Sequence, residues 1–206
     1  MSKFNIMNPD WNDSTIVIIV PYKHDYPERA ENKIEFFKHY EKIFNIVCVE
    51  DYKNRWEVFN KGAEKSKADY IALADIDAIV PIEQMNLGLF KLEDGADVVY
   101  PYDHIINVQK DGTHTDDWPK DFVYGMMVMF NRQKFLDFGG ENEQFIDYGW
   151  EDLERYYRAL NAGYKVERVK GVCYHLMHPR DGFKNPNFNY NMRLMKKEKN
   201  KWTNRE

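Results

Sequence analysis

The chain has 206 residues, of which 43% are hydrophobic and 31% charged, and a formal net charge of −5. That length suits one globular domain with a sizeable core, and the negative balance removes the basic field that gathers nucleic acid. The aromatic share of 16% is high, but core packing explains it as well as ligand stacking does. Cys48 and Cys173 both lie inside apolar runs and read as reduced, buried thiols rather than a disulfide framework. Residues 1–13 lack the apolar centre of a secretory signal and no run approaches the length of a membrane span. The cytoplasm is therefore the expected location, and Asn12-Asp13-Ser14 a chance glycosylation sequon.

Along the chain, Ile16-Val17-Ile18-Ile19-Val20, closed by Pro21, is a continuous apolar run of the kind a strand buried on both faces requires. Pro27 opens a predicted helix over residues 27–44, with Ala30, Ile34 and Phe37 as its inward stripe. Ile46-Val47-Cys48-Val49 is a second buried strand, residues 55–67 a second helix burying Trp56, Phe59 and Ala63, and Tyr70-Ile71-Ala72-Leu73-Ala74 a third strand. Strand, helix, strand, helix, strand opens a doubly wound α/β domain. Further on come a helix over residues 83–92, a strand over 97–102, a long polar loop over 103–120, and a strand over 122–130. A helix over 151–162, with Leu153, Tyr156, Tyr157 and Leu160 inward, is capped by Gly163. Short strands follow at 165–169 and 172–176. Met192-Arg193-Leu194-Met195-Lys196-Lys197-Glu198-Lys199 is basic and partly amphipathic, a solvated terminal helix or tail with capacity for weak contact with an anionic membrane.

Asp75 and Asp77 follow directly on the third strand. At a period of two they point to one side and Ile76 to the other, in the crevice where open α/β sheets bind ligands. Two such carboxylates repel unless a cation or donor network lies between them, and hard oxygen ligands suit Mn²⁺ or Mg²⁺ bridging to a diphosphate. A turn cap and a solvated acid is the competing account. His175 and His178 add imidazoles after the last strand, a mixed site for Mn²⁺ or Zn²⁺ when joined to a carboxylate. Glu151 and Asp152 open a helix, where acids also serve the macrodipole, but Tyr148, Gly149 and Trp150 just before them suggest a sugar platform beside a base. No Walker-type loop, Gly-x-Gly-x-x-Gly or Gly-x-Ser-x-Gly occurs, which removes the common kinase, dehydrogenase and hydrolase readings.

In their order these motifs resemble the β-1,4-galactosyltransferase group of GT-A-fold glycosyltransferases, with likeness to the catalytic domains of polypeptide N-acetylgalactosaminyltransferases and chondroitin polymerases. The resemblance implies a GT-A, Rossmann-like single domain over residues 1–190, with a mostly parallel central sheet flanked by helices, and a basic tail or helix over 191–206. Val20-Pro21-Tyr22-Lys23 looks like the family's nucleotide-lining segment, with Lys23 where Arg is usual and Asp25 where another Arg is common. Arg55 resembles the arginine against the uracil, and Asp75-Ile76-Asp77 the Asp-Val-Asp whose last acid holds Mn²⁺. Tyr124-Gly125 corresponds to Phe-Gly-Gly, with Met126 replacing the second glycine. Gly149-Trp150-Glu151-Asp152 resembles Trp-Gly-Gly-Glu-Asp, so Asp152 is implied as the base and Glu151, Tyr148 and Trp150 as acceptor-side residues. His178-Pro179-Arg180-Asp181 is similar to a segment whose histidine is a metal ligand, and the second ligand position falls on His175.

The implied reaction is a single inverting displacement from a UDP-sugar to an acceptor hydroxyl. Pro21, Tyr22, Lys23, Arg55, Asp75, Asp77 and Gly125 would face the donor, and Asp77, His175 and His178 the metal. Residues 103–120 or 181–191 are expected to act as a lid. A retaining transferase of the same fold, a pyrophosphorylase, a metal-dependent hydrolase and a non-catalytic carbohydrate-binding module are the alternatives.

Overall fold

The computed structural model describes residues 4–6, 15–118, 123–179 and 185–204. In chain order its first elements are β1 (Phe4–Ile6), β2 (Ile16–Tyr22), α1 (Pro27–Tyr40), β3 (Asn45–Glu50), α2 (Arg55–Lys65), β4 (Tyr70–Ala74), β5 (Ala78–Ile79) and α3 (Ile82–Glu93). Then come β6 (Val98–Tyr100), β7 (His104–Val108), β8 (His114–Trp118), β9 (Met127–Asn131), α4 (Arg132–Asp137), α5 (Glu151–Asn161), β10 (Val166–Arg168), β11 (Val172–Leu176) and α6 (Phe188–Thr203). A seven-stranded sheet runs in the order β1-β3-β2-β4-β9-β6-β10, and β5-β11-β7-β8 form a second sheet.

Every residue of β2 is buried because helices cover both faces of the large sheet. Ile16, Ile18, Val20 and Tyr22 pack with Phe36 and Tyr40 of α1 and Met85 of α3, while Val17 and Ile19 pack with Trp56 and Phe59 of α2, Phe135 of α4 and Ala159 of α5. The expected α/β layering is therefore present. Within the large sheet, however, parallel pairing is confined to β3-β2-β4 and β6-β10. β9 returns antiparallel between β4 and β6, so the sheet is mixed rather than mostly parallel.

Three local expectations need correction. The inward face of α1 carries Asn32, Phe36, Phe37 and Tyr40, and Ile34 is 65% exposed, because the larger aromatic volumes of Phe36 and Tyr40 set the helix phase. Residues 103–118 are not an irregular loop: β7 and β8 pair antiparallel as a hairpin, and residues 119–120 lie outside the described residues. On α5 the buried positions are Glu151, Glu154, Arg155 and Ala159, since α6 and the sheet cover this helix from two sides and Glu154 and Arg155 are paired there. Gly163 does end this stretch at φ 77, in the left-handed region where glycine costs least.

Residues 188–203 form one helix against α5, with Asn191, Met195 and Glu198 inward and Arg193, Lys196, Lys197, Lys199 and Lys201 outward. Among the described residues no helix is long and apolar enough to cross a membrane. Cys48 on β3 and Cys173 on β11 are buried free thiols. Burial pushes Cys48 up to about 11 and raises Cys173 as well.

The segment after β5 is tied to α1 at Val80, whose carbonyl lies 2.9 Å from His39 Nε2 and whose peptide group engages the buried Tyr40 hydroxyl. Tyr40 Oη accepts from Val80 N at 2.7 Å and donates to Val80 O at 3.2 Å. Tyr40→Phe leaves that buried N–H without its acceptor, so we expect a loss of about 1–3 kcal/mol in urea unfolding with an unchanged m-value.

Candidate functional site

The site begins where β4 ends. Ala78 N donates to Asp75 O at 3.1 Å, so the chain turns immediately after the strand instead of continuing extended. Asp75 and Asp77 therefore do not share one side, as a period of two implied. Asp75 Oδ1 accepts from the Arg55 guanidinium of α2, while Asp77 turns inward toward β11 and is only 5% exposed. Backbone pairing sets this second placement: β5 runs antiparallel to β11 with His175 opposite Ala78, and Leu176 N donates to Asp77 O at 2.8 Å.

Asp77, His175 and His178 offer three ligand atoms within 4.8 Å of one another. Asp77 Oδ2 lies 3.0 Å from His178 Nε2 and 3.9 Å from His175 Nε2. The orientation of both rings is fixed from behind. His178 Nδ1 is 2.7 Å from the Pro179 carbonyl and His175 Nδ1 is 2.8 Å from Asn107 Oδ1; both oxygens accept, so each Nδ1 carries the proton and each Nε2 points at the carboxylate. Neutral imidazoles so set aim lone pairs at an anion, an arrangement that needs a cation or an added proton between them. One carboxylate oxygen and two imidazole nitrogens fit a borderline divalent ion such as Mn²⁺ or Zn²⁺. With the added proton in place of a cation, burial still opposes the Asp77 charge, but the hydrogen bond from the His178 imidazolium and the positive fields of His175 and His178 override it and bring the acid down to about 2. The same hydrogen bond raises His178.

A second group forms at the start of α5. Asp152 keeps 35% of its side chain exposed; its Oδ1 accepts from Arg155 Nη2 at 2.8 Å. Its Oδ2 lies beside Gly125, where an added Cβ would come within 2.7 Å. Burial raises the Asp152 carboxyl and Arg155 partly offsets it. Glu151 is more extreme: burial and the neighbouring Asp152 push it up to about 8, which favours its protonated, hydrogen-bond-donating form. Its Oε2 is buried without a protein partner.

The remaining expected residues fall in different places. Pro21 and Tyr22 end β2, and the Tyr22 ring, 1% exposed, belongs to the core, so its side chain is closed to a ligand. Lys23 places its ammonium 4.8 Å over the Tyr52 ring, a ring on which Arg55 also acts. Gly125 O accepts from Tyr102 Oη, and Met126 takes φ 62, the left-handed geometry in which the glycine of the related motif would be at ease. Tyr148 is 42% exposed, with its carbonyl held by Asn185 Nδ2 at 2.6 Å. Trp150 does not stand beside it on an open platform: its ring packs 5.4 Å from Phe188 of α6. Arg180 and Asp181, and so the start of the expected lid over residues 181–191, lie outside the described residues.

Sequence reasoning missed Asn107, which sits in the hairpin that read as a loop, and Arg155, whose spacing of three from Asp152 on a helix was the available signal. It also missed Glu141, which has no local signature because its partner is Arg155, 2.9 Å away.

A family model described as the N-terminal domain of galactosyltransferase matches residues 114–180, the stretch that holds Gly125, Glu151, Asp152, His175 and His178. The chain is 24% identical over 175 residues to beta-1,4-galactosyltransferase 7 of Mus musculus and of Homo sapiens, covering 79% of this chain and 49% of each relative. It thus spans about half the length of the curated relatives it matches. Among solved structures, the catalytic domain of Drosophila beta1,4galactosyltransferase 7 in complex with xylobiose superimposes with a TM-score of 0.61 at 21% identity, over 89% of this chain and 79% of that one. A mutant of that enzyme in complex with manganese, UDP-Gal and xylobiose gives 0.59 at 21% identity, over 87% and 78%.

The Asp77–His178 pair has a defined pH window in the metal-free protein. The depressed Asp77 contributes stability above its unfolded value near 3.9 and loses it as pH falls toward 2; the raised His178 contributes below its unfolded value near 6.5 and loses it as pH rises through the folded one. The stability gap between the native chain and Asp77→Asn should therefore be larger at pH 5 than at pH 9 in urea unfolding with chelator present. An equal gap at both values would contradict the pairing.

Proposed function

We propose, from the premise that this chain is β-1,4-galactosyltransferase-like in fold and in motif order, that it is a metal-dependent glycosyltransferase. It would move a hexose or N-acetylhexosamine from a UDP-sugar to a saccharide hydroxyl with inversion, using residues 1–190 as the catalytic unit and 191–206 as an accessory segment. The observation that carries this reading is that Asp77, His175 and His178 form one ligand cluster and that Asp77 lies two residues beyond Asp75, whose charge, with that of Arg55, acts on both Glu151 and Asp152. Manganese, UDP-Gal and xylobiose are the molecules held by the Drosophila relative, and the same chemical classes suit this site.

Mn²⁺, or Mg²⁺, held by Asp77, His175 and His178 would supply the positive charge that grips the diphosphate and offsets the charge left on UDP. Arg55, already neutralised by Asp75, presents a planar cation fixed over the Trp56 ring at 4.6 Å for the uridine, and Lys23 lies on the same side. Gly125 leaves room for the donor sugar next to Asp152. Asp152 takes the proton of the acceptor hydroxyl as its oxygen bonds to the anomeric carbon. The bond from that carbon to the β-phosphate oxygen breaks, and its electron pair leaves with UDP. Attack from the face opposite UDP inverts the centre. Protonated Glu151 donates a hydrogen bond that holds the acceptor, with Tyr148 exposed beside it.

With Mn²⁺ and a panel of UDP-sugars and saccharide acceptors, we expect UDP release that needs both metal and acceptor. Asp152→Asn should lower kcat by about 10²–10⁴-fold while calorimetric UDP binding persists; full activity in that variant would remove Asp152 as the base. UDP binding indifferent to Mn²⁺ would remove the transferase reading itself. Asn107→Ala, which releases the back of the His175 ring, should weaken Mn²⁺ binding by about 10–100-fold. An NMR time course should show the product anomer opposite to the donor.

A further inference from the structure

Arg155 is an unusual residue to find where it is. Its side chain is 4% exposed, and the cost of desolvating a guanidinium is several kcal/mol unless partners surround it. Three do. Nη1 donates to Glu141 Oε1 at 2.9 Å, and Nη2 donates both to the Tyr124 carbonyl at 2.9 Å and to Asp152 Oδ1 at 2.8 Å. Glu141 is itself immobilised, because its backbone N–H donates to Asn60 Oδ1 at 2.6 Å and its carbonyl accepts from Asn60 Nδ2 at 3.0 Å. A rigid line thus runs from α2 through Asn60, Glu141 and Arg155 to Asp152.

The two hydrogens of Nη2 divide the work. One reaches the peptide just before Gly125 and the other reaches one oxygen of the acid, so the plane of the carboxylate is locked to the loop that precedes β9. Oδ1 is then occupied, and Oδ2 is the oxygen that faces Gly125, on the side assigned above to donor and acceptor. We infer that Arg155 is a positioning residue, clamping Asp152 Oδ1 to the Tyr124 carbonyl so that Oδ2 alone is presented to the acceptor hydroxyl; the inference rests on the transferase reading of this site. An ordinary helix salt bridge would need neither the burial nor the second acceptor, and a structural role alone would be met by an apolar side chain of similar volume.

The clamp also sets the charge balance at Asp152. The groups acting on it are Arg155 and Arg55, which favour its ionised form, and Asp75 and Glu141, which oppose it; Glu151, Tyr100 and Tyr102 also interact with it. Removing Arg155 takes away the nearest cation, so the acid should ionise at higher pH. Replacing it by lysine keeps the charge but cannot bridge both oxygens in the planar fork. Orientation and charge are thereby separable.

The test follows kcat against pH from 5 to 9 with Mn²⁺ and the UDP-sugar that the native chain turns over fastest, for the native chain, Arg155→Met and Arg155→Lys. In parallel, the side-chain carboxyl carbon of Asp152 is titrated by NMR in labelled protein, which needs no turnover. Arg155→Met should lose about 10–100-fold in kcat, move its acid limb and its Asp152 titration together to higher pH, and keep the native KM for donor and Mn²⁺-dependent UDP affinity. Arg155→Lys should keep the limb and titration near native values while kcat stays low. If Arg155→Met does not fold, Arg155→Lys with native UDP affinity decides the matter: native kcat overturns the clamp and reduced kcat supports it. A native limb and an unmoved titration in folded Arg155→Met overturn it as well. A native chain that transfers no sugar overturns the transferase reading and the proposal with it, and the titration still shows whether Arg155 governs Asp152.

Discussion

A carboxylate removed from water must be compensated, and in this chain that requirement fixes everything near the turn after β4. Asp77 cannot sit alone among Ile76, Ala78 and Cys173. It is admitted because β11 and the residues just after it deliver two imidazoles to it, and β11 arrives there because β5, only two residues long, starts at the next residue. The placement of the acid and the pairing of the second sheet are one event. Each imidazole is in turn set from behind, His175 by the β7 hairpin and His178 by the peptide that follows it. The site is thus pre-formed by groups that do not meet the ligand, as preorganised charge stabilisation requires.

A similar logic governs α5. Helices usually bury an apolar stripe, but this one turns Glu151, Glu154 and Arg155 inward. Its charges are tolerated because each has a fixed partner: Asn142 and Arg158 for Glu154, and Glu141 for Arg155. Glu151 is the exception, and burial together with the neighbouring Asp152 raises its carboxyl. A helix built this way gives up some packing energy and places two acids next to one another whose carboxyls burial raises, Glu151 without a side-chain partner on Oε2 and Asp152 held by Arg155.

How much of this was legible beforehand follows from range. The strands of the large sheet and α2 were readable because continuous apolar runs and Trp56, Phe59 and Ala63 carry their own periodicity. The grouping of Asp77, His175 and His178 was readable through motif order. What escaped were features decided by contacts far apart in sequence. The direction of β9 depends on where the excursion before it returns, the hairpin of residues 104–118 has too many polar residues to show an alternating pattern, and the inward charges of α5 make sense only beside Glu141 and α6. The outward turn of Asp75 escaped because a single backbone hydrogen bond, from Ala78, ends the extended geometry one residue earlier than the pattern implied.

The two cysteines have a practical meaning beyond the core they fill. With Cys48 and Cys173 both enclosed and both held in the thiol form, the folded chain offers alkylating or disulfide-exchange reagents no reactive handle, since the thiolate is the nucleophile. A single cysteine introduced at the surface would be labelled selectively without first deleting the native pair. Conversely, uptake of such a reagent by the unaltered protein would count molecules whose β3 or β11 had opened, so the buried sulfurs act as an internal gauge of local unfolding on either side of the site.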